Sequence, residues 1–328
     1  MNPGKITEAQ CKRSVLQLLP PPGPHVIQGA GVGHDYSAMA ALNGGQYVSA
    51  MAVCTLNTKS PEQYAFWNAL NRLETSGIKT HAIMVNVLLP ARGNESRIKD
   101  ITRKLAGLCK QYEVEYIGGH TELIDALRMP VITVTAFGEG ERTLFSKDNV
   151  KPDQGILMIG HAGTEAALML VNDKWEALHN RYSEDYLQGI KQLEMEMSLR
   201  RAYRLLIKEP AAYIHAISTG GVFAALWELG ESTGCGIEVD LKAIPIRQET
   251  IEVCEFFDLN PYMVLSGGSA LVVTPEPERM VTNLKQMGIS ARMIGQTTVF
   301  NDKIVMNGDE VRYLEPPKGD DIYKIYMN

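Results

Sequence analysis

No apolar run in the 328-residue chain approaches the ~20 residues that a helix needs to cross a bilayer. The N-terminus shows no signal-peptide pattern, so a cytoplasmic location is expected. Cysteine is scarce: five residues, at 11, 54, 109, 235 and 254, with no C-x-x-C pair. An odd, dispersed set argues against a disulfide framework or a cysteine zinc site and predicts reduced thiols filling the core. Neither sign of charge forms a long block, and the formal net charge is −6. That balance argues against nucleic acid or an anionic membrane as partner, because both call for clustered Lys and Arg. Also absent are a nucleophile elbow, a Walker loop ending in G-K-[ST] and an H-E-x-x-H helix.

What is present is ordinary globular composition, 45% hydrophobic and 21% charged. The length predicts about two domains. A segment 1–25, holding a helix and closed by Pro20-Pro-Pro-Gly-Pro24, precedes a domain over 26–145, and a second domain spans 150–328. The first alternates strands and helices: a strand Tyr47–Leu56, a helix capped by Ser60 with Pro61 in its first turn and Gln63 completing a capping box, and a strand His81–Leu89. A helix capped by Asn94 follows, with Ile98, Ile101, Leu105 and Leu108 at helical spacing. A short strand at Tyr116 and Ile117 running into a Gly-Gly turn, and a strand Val131–Phe137, complete a mixed α/β layer. The second domain is expected to open with Ile156–Ile159 and a Gly-His-Ala-Gly turn. A long helical region then runs from Ser183 to about Lys208, with Met195 and Met197 packing inside it. Strands Tyr213–Ile217, Ile237–Leu241, Met263–Leu265, Leu271–Thr274 and Ser290–Ile294 alternate with helices Gly221–Glu231, Thr250–Phe257 and Glu278–Met287.

Four glycine-rich stretches are able to carry chemistry. In Gly29-Ala-Gly-Val-Gly33-His34-Asp35, alternating glycines let backbone N–H groups approach phosphate and Asp35 is able to hold a metal; on the motif alone, a plain turn with a solvated Asp is the favoured reading. In Gly118-Gly119-His120-Thr121-Glu122, Thr121 is able to donate to a phosphate, and Glu122 to ligate Mg²⁺ or act as a base; a tight turn with Glu122 in solvent is the alternative. His215-Ala-Ile-Ser-Thr-Gly-Gly221 leads into a helix that Ser218 or Thr219 would cap, with room for an anion at its positive end. Ser266-Gly-Gly-Ser269 reads as a hairpin turn. Convergence of His34, His120, Glu122 and His215 on a transition metal is a further, sharper possibility.

In this order and at these separations the four stretches resemble the PurM-like, AIR synthase-related superfamily. Val87-Leu-Leu-Pro90, Gly230-Glu-Ser-Thr-Gly-Cys-Gly-Ile-Glu-Val-Asp240, Ile244-Pro-Ile246 and the stretch from Cys254 to Pro261 strengthen the likeness, nearest to its HypE hydrogenase-maturation branch. The resemblance implies a two-domain α/β (α+β) fold, with an N-terminal ATP-binding domain that forms a β-barrel with a second protomer and a C-terminal α/β sandwich. It also implies ATP and Mg²⁺, a homodimer with a small-molecule or nucleotide ligand, a hydrogenase-maturation-type protein partner, and ATP-driven activation of an amide or carbamoyl oxygen. Carried onto this chain, catalytic roles fall to His120, Glu122 and His215, and metal binding to Asp35 and Glu122. Nucleotide contacts fall to Gly31, Gly33, Asn71, Arg72, Gly118, Gly119, Thr121, Ser218, Thr219, Gly220 and Gly221.

The departures from that pattern concern charge. The strand ending near Cys54-Thr55 lacks the usual acid, Asn71-Arg72 stands where Asn-Asp is usual, and Ala216 stands at the Asp of the later motif. The chain given ends Ile325-Tyr-Met-Asn328, without the terminal Cys that carries the cyanide-forming reaction of the HypE branch. Three missing acids and one added Arg disfavour Mg²⁺, which takes oxygen ligands. Two readings follow: an ATP-dependent enzyme, or a catalytically degenerate dimeric binding or regulatory protein of the same fold.

Overall fold

The structure, a computed structural model, describes residues 7–42, 44–92 and 94–326. The chain divides into two compact units. Residues 23–29 and 36–143 form the smaller one; residues 30–35 and 144–326, with the N-terminal segment up to Pro22, form the larger.

The first helix, α1 (Glu8–Ser14), belongs to the larger unit, capped by the Thr7 hydroxyl and boxed by Gln10. In the smaller unit, β1 (Val26–Gln28), β2 (Ser37–Ala40), β3 (Gln46–Cys54), α2 (Pro61–Glu74), β4 (Ala82–Pro90), α3 (Glu95–Tyr112), β5 (Glu115–Ile124) and β6 (Val131–Gly140) follow in turn. The strands form one sheet in the order β1-β2-β3-β6-β4-β5, with only β4 and β5 parallel. Period-two alternation explains it: Val48, Ala50, Ala52 and Cys54 of β3 are buried, while Tyr47, Met51 and Val53 are exposed. Helix α2 packs across β3 and β6. Ser60 is the N-cap residue of α2, but its hydroxyl accepts from Lys104 Nζ (2.8 Å) instead of closing the expected capping box. Asn94 does cap α3, accepting from the Arg97 N–H, and Ile101, Leu105 and Leu108 are buried as their spacing predicts.

The larger unit continues with β7 (Gly155–Ile159), α4 (Thr164–Asp173), α5 (Trp175–His179), α6 (Glu184–Lys191), α7 (Arg200–Leu206), β8 (Tyr213–Ile217), α8 (Gly221–Thr233), β9 (Gly236–Asp240) and α9 (Gln248–Phe256). Then come β10 (Ser269–Thr274), α10 (Pro277–Gln286), β11 (Ala291–Thr298), β12 (Lys303–Asn307), β13 (Glu310–Tyr313) and α11 (Tyr323–Tyr326). Its sheet runs β13-β12-β9-β11-β7-β10-β8, with β9 and β12 the parallel pair. Strands β7, β8 and β10 are buried at every position, as continuous apolar runs predict for strands covered on both faces. Ile156 and Met158 face a core shared with Val222, Leu226 and Leu229 of α8, whereas Leu157 and Ile159 face one shared with Tyr203, Met280 and Leu284. Each such side chain contributes about 1.5–3 kcal/mol on burial, so β7 anchors both layers.

Four expectations fail locally. The region from Ser183 to Lys208 is not one helix: α6 and α7 are separated by a tight 3-10 stretch, Gln192–Glu196, where the Glu196 carboxylate is drawn to Arg247 and His161. Met197 is fully buried there, but Met195 is 79% exposed. Residues 263–265 are not a strand, because the Tyr262 carbonyl accepts from Phe223 N–H and the Val264 carbonyl from the Ser266 hydroxyl. Ser266–Ser269 is therefore no hairpin; it packs on the start of α4, where Ser266 Oγ accepts from Gly163 N–H and Glu165 from Gly267 N–H. The five cysteines are free thiols and four are buried. Burial raises the thiol pKa of Cys109 to about 11 and that of Cys254 to about 12.

Candidate functional site

The loop Gly29–Asp35 delivers Asp35 into the larger unit, where it is 7% exposed. One carboxylate oxygen lies 2.9 Å from His215 Nδ1 and accepts the Ala216 N–H, also at 2.9 Å. Strand β8 fixes both partners, with His215 opposite Leu271 of β10. The other ring nitrogen of His215 is 3.2 Å from a Glu228 carboxylate oxygen on α8, off the line of a directed hydrogen bond. Tyr213 stacks parallel to the imidazole, 6.3 Å between centroids, and donates its hydroxyl to the Gly33 carbonyl. Burial alone would lower the His215 pKa, but the charge and hydrogen bond of Asp35, followed by Glu228, outweigh it and raise the pKa to about 9. At neutral pH the ring is an imidazolium between two carboxylates. It has no lone pair to offer as a general base.

The glycines of that loop are spent on packing. A Cβ at Gly33 would meet the Glu228 carbonyl at 2.6 Å, and the His34 ring covers Gly31. Close packing therefore accounts for glycine at Gly31 and Gly33 without a phosphate. Asp35 is no solvated carboxylate either.

At the start of α8, Gly220 and Gly221 both have positive φ, and a Cβ on Gly221 would lie 2.5 Å from the Tyr262 carbonyl. Neither Ser218 nor Thr219 caps the helix, whose N-cap is Gly220 with no side-chain cap of its own. The Gly220 N–H donates instead to Asp320 (2.6 Å), whose other oxygen accepts from Ile322 N–H (2.9 Å). Burial pushes the Asp320 carboxyl up to about 7, against the pull of N–H groups from Gly220, Ile322 and Leu265. The chain's own carboxylate thus sits where an external anion was expected. A residue one hundred positions downstream leaves no local sequence signal for this role.

In the smaller unit, Asn71 is buried on α2, and the next residue, Arg72, donates one guanidinium N–H to the Met51 carbonyl (3.1 Å). Gly118–Glu122 is not a turn: it lies inside β5, at the edge of the sheet. The glycines answer to β4, because a Cβ on Gly119 would sit 1.8 Å from the Val85 carbonyl oxygen. His120 and Glu122, two residues apart on one face, pair at 3.0 Å with both side chains more than half exposed. Thr121 is also exposed. His34 and His215 belong to the larger unit, and His120 and Glu122 to the smaller. Among the described residues no group of three or more His, Cys, Asp or Glu is placed to hold a metal ion. The four-residue transition-metal site is therefore not formed within either unit.

Residues 42–139 match the family described as AIR synthase related protein, N-terminal domain, and residues 151–306 match its C-terminal domain, so the two together span most of the chain. A Methanocaldococcus jannaschii protein provisionally named as a hydrogenase expression/formation protein is 23% identical over 263 residues, 78% of this chain and 76% of that protein. The carbamoyl dehydratase HypE of Cupriavidus necator is 20% identical over 234 residues, 69% of this chain and 64% of its own. Among solved structures, a HypE–HypF complex gives a TM-score of 0.69 at 16% identity, covering 87% of this chain and 94% of the other. HypE in complex with ATP gives 0.67 at 16% identity, covering 82% and 84%. AaThiL complexed with AMPPCP and TMP gives 0.66 at 18% identity, covering 87% and 92%.

Proposed function

We propose that this chain, which belongs to the AIR synthase related family of the PurM-like superfamily, binds ATP and uses it to activate an amide- or carbamoyl-type oxygen. The observation that supports the reading is the agreement of both family domains, in order, with a fold whose solved relatives include complexes with ATP and with AMPPCP. In this proposal residues 26–145 are the ATP-binding and dimerisation domain and 150–328 the C-terminal domain. Arg72 supplies the charge that meets phosphate, and Thr121 and the Gly118–Gly119 backbone, on the same domain, are the other proposed nucleotide contacts. Transfer of the terminal phosphoryl group to the substrate oxygen leaves ADP and makes that oxygen a leaving group.

Mg²⁺ does not fit the residues present. Of the two acids assigned to it, Asp35 is buried and already engaged by His215 and the Ala216 N–H, and the exposed Glu122 pairs with His120 at 3.0 Å, with no third ligand-type side chain grouped with them among the described residues, whereas Mg²⁺ needs several oxygens in near-octahedral array. The same observation favours a second reading, in which the chain binds nucleotide as a dimeric regulatory protein without turning it over.

A homodimer belongs to the same proposal. Tyr47, Met51 and Val53 of β3 and Met84 of β4 form an exposed apolar face on the smaller unit's sheet, and a second copy completing a barrel would cover it. A maturation-type protein partner and a cytoplasmic location are proposed with it. No helix among the described residues is long and apolar enough to cross a membrane. Isothermal calorimetry with ATP, followed by ADP release in the presence of candidate carbamoyl and amide substrates, tests the reading. Binding with ADP release supports the enzyme, binding without release supports the regulatory protein, and no binding at millimolar ATP rejects both.

A further inference from the structure

The larger unit contains a cavity of about 300 Å³ under the chain segment that follows β13. We propose that this cavity binds a small, flat, largely apolar molecule carrying one acidic group; of the expected nucleotide contacts it includes Gly220, whose N–H is already taken by Asp320. Its volume equals the liquid share of about ten waters, lies at the lower end of ligand pockets, and far exceeds the voids that close packing leaves. Phe223 and Ala224 of α8, with Met263, form one side; Val305, Leu314 and the Pro316-Pro317 pair form the other. These side chains offer little to a polar ligand and much to an apolar one. The Phe223 ring lies parallel to Tyr262, 5.1 Å between centroids and 5° between planes, which presents a flat aromatic surface.

The acidic group follows from charge at the same wall. Arg312 and Lys318 line the cavity together with one carboxylate, Glu315, which leaves an excess of one positive charge there. Their carboxylate partners, Glu310 and Glu315, are near neighbours in sequence, and all four side chains are at least half exposed. Such solvent-screened pairs exchange readily for a better-placed anion. The wall itself is held at both ends. Leu314 N–H donates to the Lys303 carbonyl (2.8 Å), and beyond Gly319 the Asp320 carboxylate is fixed to Gly220. The cavity is thus preformed and does not need to be built by the ligand, which lowers the cost of binding.

Calorimetry on the full chain with indole-3-acetate, and with its uncharged counterpart tryptophol, tests this. The acid is expected to bind at one site, about five-fold more tightly than the alcohol. The Arg312→Gln/Lys318→Gln double variant, altered only at exposed positions, is expected to erase that difference. Ala224→Phe, which fills the space, is expected to abolish binding of both probes. Leu314→Trp fills it from the other wall and serves as the second filling variant, with circular dichroism confirming the fold of each. Absence of binding of either probe to the wild type, equal affinity for acid and alcohol, or retained binding by a folded filling variant would overturn the proposal.

Discussion

Replacing Asp35 by Asn separates a structural carboxylate from a metal ligand. The side chain keeps its size but loses the charge that faces His215 at 2.9 Å. The His215 pKa of about 9, against an ordinary 6.5, corresponds to about 3 kcal/mol of preference for the imidazolium in the folded state. Breaking a buried pair from one side costs about 3–5 kcal/mol, because the remaining charge stays buried without its partner. The pH dependence carries a definite sign. The folded state raises a histidine pKa, so the contribution is fully present below pH 6.5 and is lost as pH rises through about 9. Wild-type protein should therefore lose stability between pH 7 and 9.5, and Asp35→Asn should start several kcal/mol lower and show a flatter profile. Urea unfolding followed by tryptophan fluorescence across that range is the assay. A variant as stable as wild type to within about 0.5 kcal/mol, with an unchanged profile, would refute the structural role of Asp35.

Asp320→Asn tests the link between the C-terminal segment and α8. An acid whose folded pKa is raised from 3.8 to about 7 stabilises fully below pH 3.8 and loses that contribution as pH rises through about 7. The difference in unfolding free energy between variant and wild type should thus shift in the variant's favour from pH 4 to 8, and a constant difference would count against it. Gly119→Ala should destabilise more than Gly118→Ala, since only the former drives a Cβ into the Val85 carbonyl; both face a strain of about 1–3 kcal/mol from the positive φ, and denaturation midpoints decide. Met51→Lys with Val53→Lys, on the exposed face of β3, should convert a dimer to a monomer by light scattering with melting unchanged; a dimer that survives places the interface elsewhere.

Periodicity made the buried strands and α3 legible, because Ile156–Ile159 and the Ile101, Leu105, Leu108 series depend only on local spacing. Non-local causes account for most of what stayed hidden. Gly118-Gly119 has the composition of a turn, yet the approach of the Val85 carbonyl from the neighbouring strand requires it. Ser218 and Thr219 are good capping residues, and Asp320 displaces them from one hundred residues away. At the break between α6 and α7, Glu196 faces Arg247 and His161, distant partners that no helical pattern near Glu196 announces. One omission had a local signal: the two-residue loop Gly308-Asp309, with Asn307 paired to Glu310, is the turn of the β12–β13 hairpin. For the candidate site, the retained Asp35 and His215 were visible as residues. Their mutual engagement was not, because 180 positions separate them.

ATP binding measured by calorimetry with Mg²⁺ and again with EDTA tests the central claim most directly. The chain is expected to bind ATP with the same affinity in both, because Asp35 is held by His215 and Ala216, and Glu122, paired with His120, offers a single carboxylate. An affinity that rises tenfold or more with Mg²⁺, and loses that rise in Asp35→Asn, would contradict it.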